Sequence, residues 1–216
     1  MCGRYVFNPD PGAMRVFGVE TDVGFSANFN VAPGSQMQVI LNDAGPKIIP
    51  MIWGLIPSWT KDITRLNPIN ARSESLTEKP MFKPLLKYKR CLVPANGFYE
   101  WQKSENIKTP HYFHQPGNSL FAFAGLYDIW QSPDGSSLYS YTIITASANA
   151  SVIPVHSRMP LIIEPKNYSV WLDTTISTLP SELLDPSLSP NLESYPVSSA
   201  VNTPQVNSPD LITPLV

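Results

Sequence analysis

Apolar and polar positions change register often along this chain, and proline punctuates the changes. Seven short runs carry the Val, Ile, Leu and aromatic side chains that suit a pleated surface: residues 4–7, 38–41, 48–53, 91–94, 98–102, 120–126 and 139–145. Within residues 98–102, strict alternation puts Phe98, Glu100 and Gln102 on one face and Tyr99 and Trp101 on the other. The turn signal Ser132-Pro133-Asp134-Gly135 joins the last two runs into an expected hairpin. Helical patterning is confined to residues 11–17, 75–79, 81–88 and 165–172. The 23 prolines exclude long uninterrupted helices, and no internal repeat is visible. The pattern reads as one α+β domain.

Beyond Leu172 the chain turns poor in charge and rich in Ser, Pro and Thr, which often marks a flexible tail. Tyr195, Pro196, Val197, Leu211 and Ile212 nevertheless offer apolar side chains that can dock, so this segment is read as loop-like but largely attached.

Composition narrows the setting. A chain of 216 residues, 43% hydrophobic, can bury a sizeable core. No stretch approaches the ~20 apolar residues of a membrane helix, and no secretory signal pattern is present. Two cysteines, Cys2 and Cys91, are too few for a disulfide framework, so a reducing, cytoplasmic setting is expected.

The formal net charge of -2 argues at first against nucleic acid, but its distribution changes that view. No Lys or Arg follows Lys166, whereas five acids do, leaving a net +3 over residues 1–166. Residues 61–90 alone hold eight bases against three acids. That excess fits either a phosphate-binding face or a solvated helical surface.

Cys2 follows the initiator methionine directly. Methionine aminopeptidase acts before small residues, and removal of Met1 would leave an α-amine and a β-thiol on one residue. Free groups of these kinds titrate near ~8 and ~8.5, so both would be partly nucleophilic at neutral pH. Such an aminothiol condenses with an aldehyde to an imine and then closes to a thiazolidine, which an internal cysteine cannot do. The plain alternative is a cysteine packed under a sheet. Glu100 is either a solvent-facing strand residue or an acid/base with a tuned pKa. His156 stands in the compact polar cluster His156-Ser157-Arg158, although loop histidines are often mere surface residues. His111 and His114 fit no ligand spacing, and no metal site or cofactor is expected. Asn70 and Arg72 point the same way if their segment is extended, and Arg can grip phosphate bidentately. Trp53 reads as a core anchor, and Trp59, among polar neighbours, as an exposed residue able to stack on a base.

Together the ordered motifs MCGRY, NVAP (30–33), WGLIPSW (53–59), INARSES followed by MFKP, RCLVPANGFYEW, HSRMP and YPVSSAVN resemble the SRAP family, the SOS response-associated peptidases also known as abasic-site processing proteins. The resemblance implies a single α+β domain over residues 2–216 with a bifurcated, mostly antiparallel sheet, a small barrel and peripheral helices. It implies a sensor of abasic sites in single-stranded DNA that links covalently to the open-chain aldehyde through Cys2, nucleoid-associated when bound and with no obligate protein partner or membrane. By motif, Cys2, Asn70, Glu100 and His156 match catalytic positions. Arg4, Arg72 and Arg158 would hold phosphates, Trp59 would stack on a base, and Pro33 would sit where the strand kinks. A second aromatic often follows the loop tryptophan in the family; here it is Thr60, which implies a smaller platform. The peptidase in the family's name would describe Met1 removal or a hydrolase inferred from a Cys/His/Glu set. Two rival readings are an N-terminal-nucleophile amidohydrolase, since glutamine amidotransferases also begin Met-Cys-Gly, and a non-covalent single-strand-binding module.

Overall fold

The computed structural model describes residues 2–10, 12–21, 24–64, 67–105, 107–176 and 178–215; Met1, Pro11 and Arg65, which enter the sequence reading, lie outside them. The strands are β1 (Tyr5–Phe7), β2 (Asn28–Val31), β3 (Gln36–Asn42), β4 (Pro46–Trp53), β5 (Asn70–Arg72), β6 (Arg90–Ala95) and β7 (Gly97–Ser104). They continue with β8 (Ile107–His114), β9 (Phe121–Gln131), β10 (Ser137–Ser147), β11 (Arg158–Pro160), β12 (Ile162–Ile163) and β13 (Glu193–Pro196). Two short α-helices, α1 (Lys83–Tyr88) and α2 (Tyr168–Leu172), lie among several 3-10 turns.

Five strands close on themselves in the order β10, β4, β3, β6, β9 and back to β10, forming a small barrel with one parallel contact, β10–β4. Closure removes the free edges that an open sheet of these apolar strands would present. The sheet forks along β10. One edge pairs with β4 at Ser140 and Tyr141, then with β5 at Ile143 to Thr145. The other pairs with β9 as far as Ile143, then with β11 from Thr145 to Ser147. Gly54 makes the first fork possible: its φ of 129° turns the chain out of β4 while its N–H still bonds Tyr141 of β10. The excursion returns as β5, so Asn70, Arg72 and Arg158 all flank the far end of β10.

A second, antiparallel sheet runs β13-β8-β7-β1-β2. Both of its faces are covered near β7. Phe98 enters the main core, and Tyr99 packs with Val6, Tyr112, Val197, Val201 and Leu211 on the opposite side. Gly97 is required for this fit, because a Cβ there would stand 2.4 Å from the Phe113 carbonyl oxygen. The sheets are joined by paired hydroxyls of Tyr5 on β1 and Tyr141 on β10, 2.8 Å apart and buried.

All seven strand runs form strands, and the β9–β10 hairpin turns at residues 132–136. The helical expectations are partly corrected. Residues 13–17 make a 3-10 turn, and residues 76–78 continue a Ser73–Ser75 3-10 turn only as turns. α1 begins at Lys83, and a 3-10 turn precedes α2. The C-terminal segment is attached rather than loose. β13 pairs with β8, and the buried Asn30 amide donates to the carbonyls of Val201, Thr203 and Val206. No described helix is long and apolar enough to cross a membrane.

The basic stretch 61–90 is not one surface. Arg90 is buried, donating to the carbonyls of Trp171, Leu86, Lys87 and Asp173, and Lys89 pairs with Asp128 at 2.6 Å. Part of its charge therefore holds α1 and α2 to the barrel.

Candidate active site

β1 is short, but its register fixes the chain end. Tyr5 pairs with Phe98 and Val6 with Gly97, and Tyr99 donates to the Arg4 carbonyl at 3.0 Å. Continued towards the terminus, this antiparallel path carries Gly3 and Cys2 alongside Glu100. The Asn70 side-chain amide, presented by β5, donates to the Cys2 carbonyl at 2.8 Å. Its Oδ1 is buried and makes no hydrogen bond among the described residues. Cys2 is fully buried, and its thiol faces the Arg4 carbonyl at 4.0 Å. Burial pushes the thiol well above its ordinary range, and the Glu100 charge pushes it further.

Glu100 is 2% exposed, which excludes the solvent-facing strand reading. Burial raises its carboxyl above the usual range, with the charge of a protonated His156 pulling the other way. His156 Nδ1 lies 3.8 Å from Glu100 Oε2. The histidine follows a run of turns over residues 150–155, its N–H donating to the Val152 carbonyl. Nδ1 also lies 3.0 Å from both the N–H and the carbonyl of Arg158. The neutral ring can accept from the first, and a protonated Nδ1 can donate to the second. The Gln102 amide donates to Pro154 at 3.2 Å and ties β7 to this loop. Glu100 and His156 open onto a cavity of about 580 Å³, completed by Trp101, Lys103, Lys108 and Asn202.

The structure thus brings Cys2, Asn70, Glu100 and His156 into one connected group. The expected DNA-contacting residues surround it unevenly. Arg72 is exposed at the end of β5, and Arg4 is half-buried, donating to the Gly3 carbonyl. Pro33 is exposed just after β2. Trp59 is 62% exposed on the 54–69 excursion, whereas Trp53 is a core residue. Arg158 is occupied: it makes two hydrogen bonds to Glu74, at 2.5 and 3.1 Å, and one to the Thr145 carbonyl at 2.7 Å. Sequence reasoning missed Trp101, Lys103, Lys108 and Asn202 as cavity residues. The lysines on either side of a turn were the available signal; Asn202 arrives from a distant segment, where its side chain accepts from the Trp101 indole. Among the described residues, no group of three or more His, Cys, Asp or Glu side chains could hold a metal ion.

Comparison with known proteins places the chain in a family. The family model of the SOS response associated peptidase (SRAP) matches residues 1–204. The abasic site processing protein YoqW of Bacillus subtilis (strain 168) is 39% identical over 221 residues, spanning 98% of this chain and 99% of that protein. The abasic site processing protein HMCES of Mus musculus is 34% identical over 233 residues, spanning 88% of this chain and 65% of that longer protein. The crystal structure of a Bacteroides thetaiotaomicron protein has the same fold, with a TM-score of 0.86 at 24% identity over 100% of both chains. This chain belongs to the SRAP family.

Proposed function

We propose that this protein captures abasic sites in single-stranded DNA, forming a thiazolidine with the open-chain deoxyribose aldehyde through Cys2 after Met1 is removed. The observation that carries the reading is the convergence at the chain end: Asn70 fixes the Cys2 carbonyl, with the buried Glu100 and its neighbour His156 beside an open cavity. The names of the relatives support the choice of lesion.

The chemistry follows from those groups. The Cys2 amine attacks the aldehyde carbon, and loss of one water gives an imine. The thiol sulfur then attacks the imine carbon; a C–S bond forms, and the thiol proton ends on nitrogen. This order asks for no thiolate at the outset, since the amine reacts first and the sulfur only afterwards. Glu100, with a raised carboxyl, donates a proton to the departing oxygen and takes one back during ring closure. His156 relays protons between Glu100 and the cavity. Arg4 and Arg72 hold phosphates beside the lesion, Trp59 stacks on a neighbouring base, and the strand bends past Pro33. Arg158 joins them only by exchanging Glu74 for a phosphate. The reaction requires no metal or cofactor.

The test is incubation with single-stranded DNA bearing one abasic site, followed by a denaturing gel. A heat-stable adduct that disappears in Cys2→Ala is expected. Binding without an adduct would favour the non-covalent module, and glutamine hydrolysis without one the amidohydrolase.

A further inference from the structure

We infer that Lys103 and Lys108 form a phosphate-gripping pair at the rim of the cavity, a subsite for the DNA backbone not anticipated from the motifs. The inference rests on the DNA reading above and extends the path of the strand to the β7–β8 hairpin.

The register of β7 and β8 places Lys103 directly opposite Lys108. Side chains so opposed have Cβ atoms only about 4.5–5.5 Å apart, and like charges there destabilise a sheet. Both lysines are exposed, and both line the cavity that contains Glu100 and His156. Among the described residues, neither has a carboxylate within 4.0 Å, whereas Lys47, Lys89 and Lys166 each hold an acid at 2.6–2.7 Å. The one exposed acid of the hairpin, Glu105, sits in its turn at φ 48° without pairing to either lysine.

The inner neighbours on the same face are apolar pairs, Trp101 opposite Pro110 and Tyr99 opposite Tyr112. The face therefore changes from packed aromatics to two unneutralised ammonium groups where it meets the cavity. An anion bridging the two would relieve their repulsion, and a backbone phosphodiester is the anion that a DNA strand leaving the cavity supplies. The Gln102–Pro154 bond holds this hairpin to the His156 loop, so the lysines keep a fixed place relative to the reacting group. They lie on β7 and β8, whereas Arg72 and Arg158 lie on β5 and β11, so the pair adds contacts from a different pair of strands.

The test uses full-length protein and a fluorescent single-stranded oligonucleotide carrying a tetrahydrofuran residue, an abasic analogue with no aldehyde. Anisotropy then measures binding without any covalent step. For Lys103→Ala/Lys108→Ala, about tenfold weaker binding at low salt is expected, with a salt slope shallower by about 0.7–1.4, as for the loss of one or two phosphate contacts. The Lys103→Arg/Lys108→Arg protein should restore both, and the melting temperature of the alanine protein should not fall. Unchanged affinity and slope in the alanine protein, or no binding by the wild type, would overturn the subsite. Adduct formation with true abasic DNA is scored separately: binding that depends on the lysines while wild type forms no adduct would sink the crosslinking reading and leave the subsite standing.

Discussion

Glu100 Oε2 stands 3.8 Å from His156 Nδ1, and β7 holds that carboxylate almost wholly out of solvent. Its carboxyl is raised by burial, which nearby positive charge offsets only in part. A folded-state pKa above the unfolded value of about 4.3 means that the native state binds the proton more tightly. The stabilisation this gives is complete below about pH 4 and is lost as pH rises through the folded value. Glu100→Gln is therefore expected to raise the melting temperature at neutral pH and to leave it unchanged near pH 4. The same variant should form adduct at least about 100-fold more slowly, since it can neither give nor take a proton. Thermal melts at the two pH values and a single-turnover time course check both halves.

Asn70 positions rather than reacts. Loss of its hydrogen bond to the Cys2 carbonyl should cost about 1 kcal/mol of stability, the usual net contribution of one such bond. Asn70→Ala should therefore remain folded and bind the tetrahydrofuran oligonucleotide normally, yet form adduct about tenfold more slowly once the chain end is free to wander. Binding and rate measured on the same preparation separate the two effects.

The Glu74–Arg158 pair holds an arginine beside the reacting group in check. Glu74 is half-exposed, so removing it should alter stability by no more than about 1 kcal/mol. Glu74→Ala should bind single-stranded DNA more tightly and with a steeper salt dependence, because Arg158 no longer has to exchange a carboxylate for a phosphate. Arg158→Ala should bind more weakly. A salt titration of all three proteins reads the order directly.

Arg90 provides the contrasting case within the same basic stretch. Its guanidinium satisfies four buried or half-buried carbonyls, so Arg90→Ala should lose about 3 kcal/mol or more. DNA binding per folded molecule should be unchanged. Denaturant unfolding, with binding measured below the transition, tests the distinction between structural and DNA-facing charge.

Much of the barrel was legible because its strands are long and rich in Val, Ile and aromatic residues. β2, β5, β8, β11, β12 and β13 were not among the strand runs, because their pairing is decided by neighbours rather than by propensity. β8 contains Pro110 and two histidines, and β13 ends in a proline. The side-chain alternation placed Glu100 and Phe98 on one face but could not show that both faces of β7 are covered. Cys2, Asn70, Glu100 and His156 were each readable from their motifs. Their meeting was not, since it depends on the β1–β7 register and on the fork that returns β5 to β10. The Glu74–Arg158 pair, 84 residues apart in sequence, left no local trace at all.

Intact-mass analysis of the adduct, followed by peptide mapping, tests the central claim most directly. The expected species weighs the protein without Met1 plus the abasic oligonucleotide less one water, with the DNA remnant on Cys2. An adduct that retains Met1, or one mapped to a lysine, would contradict capture by the Cys2 aminothiol.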